Sequence, residues 1–257
     1  MPEGDTIAWH ANRLRPVLEG AIPDEIRPHA RFGADRWSER LAGRRIARVD
    51  TRGKHLLLRF DCGLVLHSHL GMVGTWGVYP PGRRWGRSRR RAWLVIRVGD
   101  VEVVEFDGST LELITEGRSR FDQRLAALGP DILAEAFDTA EFLRRLRLDD
   151  PTRPFGDALL DQRTVAGIGN MWKAEGCWEA QIDPWRTTLM VSDAEAVAVI
   201  DATRPRMQCS AEQGPMAIDQ RVYGRAGQPC RRCGERILSR GQWEDNRLTY
   251  WCPGCQH

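Results

Sequence analysis

The sequence contains no apolar stretch that approaches the roughly 18 residues a helix needs to cross a bilayer. Its beginning has no cluster of positive charge of the kind found in secretory signals, because Glu3 and Asp5 stand there instead. It also has no internal repeat and no low-complexity linker. With 257 residues, 42% hydrophobic and 28% charged, the composition is typical of a soluble globular protein of one or two domains. We therefore expect a cytoplasmic protein with no membrane contact.

The net charge is small and says little about partners, whereas its distribution says more. The formal net charge is +3. The stretch 80–93, PPGRRWGRSRRRAW, contains six arginines and little opposite charge. A run this dense is either a solvated hairpin tip or a phosphate-binding patch, and the sequence leaves both open.

The hydrophobic periodicity changes along the chain. Residues 3–18 have helical spacing, residues 44–113 have the texture of short strands separated by Gly or Asp, and residues 131–210 are mostly helical in pattern. No helix-length crossover separates the strands, which favours an antiparallel sandwich. The predicted strands are 44–51, 55–60, 63–70, 92–99, 101–106 and 109–114, and the predicted later helices are 134–148, 159–167, 170–182 and 192–204. Gly129 and Pro130 indicate a boundary between the two regions.

Four cysteines near the C-terminus form two CxxC pairs separated by 18 residues: Cys230 and Cys233, then Cys252 and Cys255. Each pair can hold one side of a tetrahedral ion, and the segment between them is long enough for a β-hairpin. A redox CxxC is the alternative. Four thiolates leave no open coordination position, so we predict one structural Zn²⁺.

Two further stretches are ambiguous when read alone. Gly167 and Gly169 precede Asn170 at a predicted helix start, an arrangement that suits either an ordinary helical corner or an anion site. In the opening MPEG, Pro2 and Glu3 are either the first residues of a helix or, after loss of Met1, a reactive N-terminus.

Taken together, these motifs resemble the formamidopyrimidine-DNA glycosylase and endonuclease VIII family of bacterial base-excision repair. The likeness runs nearly end to end, through MPEG, RGKHLLL at 52–58, HLGM at 69–72, LGPDIL at 128–133, LLDQRTVAGIGN at 159–170, VYGRAGQPCRRCG at 222–234 and NRLTYWCPGC at 246–255. The resemblance implies an α+β multidomain fold. We expect an N-terminal catalytic β-sandwich with flanking helices over 1–116, a helix-two-turn-helix domain over 131–221 and a zinc finger over 222–257.

The resemblance also implies a chemistry for the opening residues. Pro2, freed by removal of Met1, is the expected nucleophile, and Glu3 is the expected proton shuttle. The expected activity is that of a bifunctional DNA glycosylase and abasic-site lyase, which forms a Schiff base and cleaves the strand by β,δ-elimination. An α-amino group with a pKa of roughly 7.7–8 is partly unprotonated at neutral pH, which suits it to this task.

The remaining site residues implied by the resemblance grip DNA. Lys54 matches a lysine that contacts phosphate near the lesion, and Asn170 and Arg247 match the other phosphate anchors. Met72 matches a residue that fills the space left by an extruded base, with ordinary core packing as its alternative. The expected partner is damaged DNA, in duplex, bubble or single-stranded form, bound by a monomer.

Two departures from the family pattern refine this expectation. Thr6 stands where many members have a second acid, so no role for such a carboxylate is transferred. The stretch VVEFDGSTLEL lacks the arginine pair and phenylalanine of the branch specific for 8-oxoguanine, which favours the endonuclease VIII branch and oxidised pyrimidines. The alternatives are a catalytically inactive damaged-DNA-binding protein on the same scaffold, or an RNA-associated zinc-ribbon protein.

Overall fold

A computed structural model describes residues 2–242 and 247–257, and the chain divides into two compact units, one ending at Ala126 and the other beginning at Ala127. Among the described residues, no helix has both the length and the apolar character needed to cross a membrane. The predicted subdivision at 116, 131 and 222 stays a prediction.

The N-terminal unit contains two antiparallel four-stranded sheets. One has the order β1-β6-β7-β5 and the other β2-β3-β4-β8. The strands are β1 (Glu25–Pro28), β2 (Ile46–Arg52), β3 (His55–Phe60), β4 (Leu64–His69), β5 (Thr75–Tyr79), β6 (Ala92–Val98), β7 (Val101–Phe106) and β8 (Thr110–Thr115). The six predicted strands are therefore confirmed, and β1 and β5, which have only 4 and 5 residues, were not predicted.

The core of this unit lies between the two sheets and helix α1 (Gly4–Leu18). Ile7, Leu14 and Leu18 of α1 belong to the same buried cluster as residues of both sheets, such as Leu58 and Ile96. The predicted sandwich and its first helix are thus confirmed. Three short helices complete the unit: α2 (Trp37–Arg40), α3 (Glu116–Phe121) and α4 (Gln123–Ala126).

The C-terminal unit has a helical part and a hairpin. Its elements are α5 (Thr139–Leu148), α6 (Phe155–Leu160), α7 (Asn170–Glu179), α8 (Asp193–Gln213), β9 (Leu238–Gln242) and β10 (Arg247–Trp251). Strands β9 and β10 pair antiparallel, as predicted for the segment between the cysteine pairs. Ser192 caps α8 in a reciprocal capping box with Glu195.

Two predicted helices are wrong in part. Helix α5 begins at Thr139 rather than 134, because the Asp138 side chain accepts the Glu141 N–H and caps the helix there. The stretch 159–167 is helical only to Leu160. The Asp161 side chain then accepts the backbone N–H of Arg163, which favours a turn over another helical residue.

Candidate active site and metal centre

Pro2 and Glu3 lie at the start of α1. Pro2 is half-buried, and Glu3 is only 2% exposed. Glu3 is the N-cap residue, with extended backbone (φ −115°, ψ −176°), and its carbonyl accepts the Ile7 N–H at 3.1 Å. The helix N-terminus favours a negative charge at this position. A buried carboxylate thus adjoins the predicted nucleophile, while the predicted removal of Met1 concerns a residue outside those described.

Lys54 lies in the two-residue turn between β2 and β3. Arg52 pairs with His55 across this turn, and Gly53 has a φ of +57°, which glycine adopts without steric cost. The hairpin therefore fixes where the lysine side chain begins. On the neighbouring strand, His69 pairs with His55.

His69 lies close enough to Lys54 to feel its charge, and it is the first residue of HLGM, which drew no attention to it in the sequence. Burial lowers its pKa, and the positive charges of Lys54 and Arg124 lower that pKa further. Its Nδ1 accepts the Gly71 N–H at 3.2 Å, so the neutral ring carries its proton on Nε2. The structure thus brings a lysine and a neutral imidazole donor together at one end of the sheet.

A second titratable cluster lies on the same sheet. His67, Glu112 and Asp122 place one possible ligand atom each within 4.8 Å of the others. Arg124 donates to both carboxylates, at 2.9 Å to Glu112 Oε2 and 2.6 Å to Asp122 Oδ2. Because a guanidinium already neutralises these two acids, we interpret the cluster as an ion-pair network rather than a metal site.

Met72 is 65% exposed, which is incompatible with the alternative that it is core. It lies in a tight loop, where Gly71 has a φ of +61° and a Cβ there would come within 2.8 Å of Ser109 Cβ. The Ser109 N–H also donates to the His69 carbonyl at 2.8 Å. The loop packs closely against Ser109 and presents the apolar side chain of Met72 to solvent.

Asn170 is the first residue of α7 and is only 6% exposed. It does not cap the helix, since the N-cap is Gly169. Its Nδ2 donates to the Leu248 carbonyl on β10 at 2.9 Å, which leaves its second amide N–H for another acceptor. The residue therefore connects the glycine turn to β10, the strand that begins at Arg247.

The glycine turn itself is held by Gln162. Its Nε2 donates to the carbonyls of Leu160 and Ile168 at 2.9 and 2.8 Å, and its Oε1 accepts the Gly167 N–H at 3.0 Å. Gly167 has a φ of +100°, a conformation that a residue with a side chain rarely adopts. The turn before α7 is thus fixed by one side chain and one glycine.

Arg247, half-buried, is the first residue of β10 and pairs with Gln242. Two residues further on, Thr249 Oγ1 accepts from Lys173 Nζ of α7 at 2.6 Å. The tip of the predicted hairpin, residues 243–246, lies outside the described residues. In the described part of the chain, α7 therefore positions β10, and Arg247 is the first residue of that strand.

The four cysteines of the two CxxC pairs converge. Their Sγ atoms all lie within 4.8 Å of one another, with 3.8 Å between Cys230 and Cys255 and 3.4 Å between Cys233 and Cys252. A Zn–S bond of about 2.3 Å gives a tetrahedral edge of about 3.8 Å. The donor set and its spacing therefore fit a four-thiolate metal centre.

Helix α7 supports this centre from outside. Trp178 Nε1 donates to Cys230 Sγ at 3.3 Å, a contact that orients one of the four sulfurs. The fully buried Glu175 accepts the backbone N–H groups of Arg221, Val222 and Tyr223, each at 2.9 Å, where the chain enters the cysteine-bearing segment. The segment is thus tied to the helical part by hydrogen bonds as well as by packing.

Comparison with known proteins gives matches over both units. The model of the formamidopyrimidine-DNA glycosylase N-terminal domain matches residues 1–113, and that of the formamidopyrimidine-DNA glycosylase H2TH domain matches residues 128–221. A Streptomyces coelicolor protein named probable endonuclease 8 2 is 37% identical over all of this chain and 94% of its own length.

Two other relatives carry informative names. A Mycolicibacterium smegmatis protein named DNA-(apurinic or apyrimidinic site) lyase Nei2 is 34% identical over all of this chain and 99% of its own length. The crystal structure of Lactococcus lactis formamidopyrimidine-DNA glycosylase, bound non-covalently to DNA containing an abasic site, has a TM-score of 0.85 and 26% identity, covering 99% of each chain.

Proposed function

Because the chain belongs to the formamidopyrimidine-DNA glycosylase and endonuclease VIII family, we propose that it is a bifunctional DNA glycosylase and abasic-site lyase that acts through Pro2. The observation that carries the proposal is Pro2 at the start of α1 with the buried carboxylate of Glu3 beside it, in a chain similar to such enzymes over its whole length.

The choice of nucleophile is narrow because the chain has few amines. Its only lysines are Lys54 and Lys173. Lys173 is 0% exposed and donates to Thr249, so it cannot reach a nucleic acid without unfolding its surroundings. The candidates are therefore Lys54 and the N-terminal amine, and the latter has the lower ordinary pKa. Once Met1 is removed, Pro2 has a secondary amine with a lone pair and one hydrogen.

The proposed steps follow from that nitrogen. The amine attacks C1′ of the damaged nucleotide, and the base departs with its bonding pair and takes up a proton. Loss of the amine hydrogen and opening of the sugar ring then give an iminium linking Pro2 to C1′. The iminium acidifies C2′, so that loss of a proton there expels the 3′ phosphate. Later loss of a proton at C4′ expels the 5′ phosphate, and hydrolysis frees the protein.

Glu3 is assigned to proton transfer at the sugar ring oxygen. Its carboxylate is buried at the start of α1 and adjoins the nucleophile in sequence, so it can take up the proton that the amine loses and pass it on. Ring opening leaves negative charge on that oxygen, so a positioned acid accelerates the step.

In the N-terminal unit, Lys54 and the Nε2–H of His69 are assigned to the DNA backbone near the damaged nucleotide. In the C-terminal unit, Asn170 and Arg247 are assigned to backbone phosphates. Met72 is proposed to enter the gap in the duplex, which its exposure supports.

We assign one structural Zn²⁺ to Cys230, Cys233, Cys252 and Cys255. With all four positions occupied by thiolates, the metal would hold β9 and β10 in place and take no part in bond breaking.

The preferred lesions are proposed to be oxidised pyrimidines. β7 ends at Phe106 and β8 begins at Thr110, so residues 107–109 alone connect them. A connection of this length turns the chain and has no residues left to insert into the opposite strand. The binding partner is proposed to be duplex DNA, with bubble or single-stranded DNA as further forms. We propose that the protein binds it as a monomer in the bacterial cytoplasm.

The decisive experiment is borohydride trapping on an oligonucleotide with an abasic site, using the parent, Pro2→Ala and Lys54→Ala. We expect the parent to form a covalent adduct, Pro2→Ala to form none, and Lys54→Ala to form it with weaker DNA binding. An intact-mass measurement on the same preparations shows whether Met1 is absent. Undiminished trapping by Pro2→Ala would place the nucleophile elsewhere. Absence of trapping in the parent would favour the inactive damaged-DNA-binding protein.

A further inference from the structure

We propose that residues 80–91 of the N-terminal unit, here called the arginine loop, bind the phosphate backbone of duplex DNA that flanks the lesion. The inference rests on the proposed function and adds a contact surface to it. The loop connects β5 to β6 and contains Arg83, Arg84, Arg87, Arg89, Arg90 and Arg91.

The arginine loop is fixed to the sheet beneath it. The Trp85 ring packs on Phe106 with centroids 5.7 Å apart, and its Nε1 donates to Glu102 Oε2 at 2.8 Å. The Gly86 N–H donates to the Tyr79 hydroxyl at 3.0 Å. The loop thereby covers the outer face of β7, where Val104 and Phe106 are fully buried. Its charged side chains start from an ordered backbone, which lowers the entropy lost on binding.

Half of the arginines in this loop are neutralised or stacked. Arg87 and Arg91 both form ion pairs with Asp107, and the Arg89 guanidinium lies 4.5 Å from the Trp85 ring centroid. The other three have a different environment. Among the described residues, the exposed side chains of Arg83, Arg84 and Arg90 have no ion pair, hydrogen bond or ring contact.

This arrangement concentrates positive charge that the protein does not compensate. Guanidinium groups held close together repel one another, and an anion bound between them relieves that repulsion. A cleft of about 770 Å³ runs along the loop, lined by Arg83, Arg84, Arg89 and Arg97. Two acids, Asp100 and Glu102, also lie in its wall, so the arginines there outnumber the carboxylates. Arginine suits phosphate because its planar donors can make paired hydrogen bonds.

The position of the loop selects DNA as the source of that phosphate. Besides its ion pair, Arg87 donates from Nη1 to the Val73 carbonyl at 2.7 Å. Val73 follows Met72, the residue proposed to enter the duplex, and is itself 59% exposed. Arg87 therefore ties the arginine loop to the loop that presents Met72, next to the Thr75 end of β5. Arg83 and Arg84 line the cleft at the Tyr79 end of the same strand, so a duplex opened by Met72 would meet these two arginines in its flank.

The test measures how binding depends on salt. The parent, Arg83→Ala/Arg84→Ala and Arg83→Lys/Arg84→Lys bind a duplex with a non-cleavable abasic analogue between about 50 and 200 mM salt. Each phosphate contact contributes about 0.9 to the slope of log affinity against log salt, so loss of two contacts should reduce the slope by about 1.8. The lysine variant should keep the slope, because it keeps the charge. A matched control, Arg44→Ala/Arg48→Ala, removes two exposed charges elsewhere in the unit and should leave the slope at the parent value.

Two further readouts separate this inference from the proposed function. At saturating protein, the alanine variant should give the same single-turnover cleavage rate and borohydride adduct as the parent. An unchanged slope in the alanine variant, or an equal loss in the Arg44→Ala/Arg48→Ala control, would overturn the arginine-loop proposal while trapping stayed intact. A slope that falls on heparin but not on duplex DNA would also overturn it. Absence of trapping in the parent would instead refute the proposed function, whatever the slopes.

Discussion

Glu105 is fully buried on β7, and replacing it with glutamine should change how stability depends on pH. Its Oε1 accepts from the Ser68 hydroxyl at 2.8 Å, and among the described residues its Oε2 has no hydrogen-bond partner. Burial raises the pKa of this carboxyl from 4.5 to about 8, although the Ser68 hydrogen bond and the charge of Arg31 act in the opposite direction. The folded protein therefore keeps Glu105 neutral at pH values where the unfolded chain ionises it.

The sign and size of the effect follow from proton linkage. Between pH 4.5 and about 8 the folded state binds one more proton at Glu105 than the unfolded state, so stability falls as pH rises through this range. One proton corresponds to about 1.4 kcal/mol per pH unit, which amounts to about 5 kcal/mol over the whole range. Glutamine is neutral at every pH and its Oε1 can still accept from Ser68, so this decline should be absent from Glu105→Gln.

Three histidines make the stability of the folded protein fall at acidic pH. Burial lowers the pKa of His10 and of His55 to about 3 and that of His67 to about 4. Their stabilising contribution is present above pH 6.5 and is lost as pH falls towards those values. The parent protein should therefore be most stable near the point where the two trends cross, slightly below neutral pH. Since both proteins contain the same histidines, the difference between parent and variant isolates Glu105.

The measurement is denaturant unfolding of the full-length parent and Glu105→Gln from about pH 5 to about pH 8.5. Hydrogen exchange of the β6 and β7 amides confirms that the unfolding observed is that of the N-terminal unit. The stability of the variant relative to the parent should rise by about 1.4 kcal/mol per pH unit up to about pH 8. Parallel curves would show that Glu105 is not held neutral and would refute the reasoning. Asp61→Asn, at an exposed acid, serves as the matched control.

Three further predictions concern function. Glu3→Gln should lose base excision but retain part of the cleavage at preformed abasic sites, as measured by single-turnover rates on the two substrates; equal losses would contradict its assigned role. Metal analysis should find one zinc per chain, and Cys252→Ser should weaken DNA binding by releasing β10. Arg247→Ala with zinc retained should reproduce much of that defect, and full binding by this variant would remove Arg247 from the contact. Thymine glycol or 5-hydroxyuracil should be excised faster than 8-oxoguanine opposite cytosine in matched duplexes, and the reverse order would refute the argument from the three-residue connection at 107–109.

The elements predicted correctly from the sequence are those in which the local residue pattern and the tertiary packing favour the same structure. The six longer strands, α1 and the Ser192 cap are of this kind. The two strands that were missed are short, and β5 contains Gly77, which weakens a strand pattern. The residue types at 159–167 suit a helix, but the turn there is set by Asp161 and Gln162 through contacts that periodicity does not reveal.

Within the site, the cysteine spacing alone predicted the convergence of four thiols, since each pair is local and the ligand geometry is simple. His69 was harder to identify. A histidine at the end of a strand is ordinary in sequence, and its significance comes from Lys54 on the neighbouring hairpin and from the Gly71 N–H that sets its tautomer. These contacts of His69 depend on the strand register. A one-residue shift of the register would turn its side chain to the other face of the sheet.

Helix α7 shows most clearly what a sequence pattern conceals. Its polar residues would suggest a solvated face, yet nearly the whole helix is buried, so each polar group there needs a specific partner. Four such contacts reach the cysteine-bearing segment or its entry: Asn170 with Leu248, Lys173 with Thr249, Glu175 with the backbone at 221–223 and Trp178 with Cys230. Glu175 also pairs with Arg206 of α8 at 3.0 Å. The position of β10 is therefore determined twice, once by the convergence of the four cysteines and once by this helix. Because the glycine turn leads directly into α7, one helix connects Asn170 to the strand that begins at Arg247. The spacing of these two proposed DNA contacts therefore follows from the buried polar contacts of the helix.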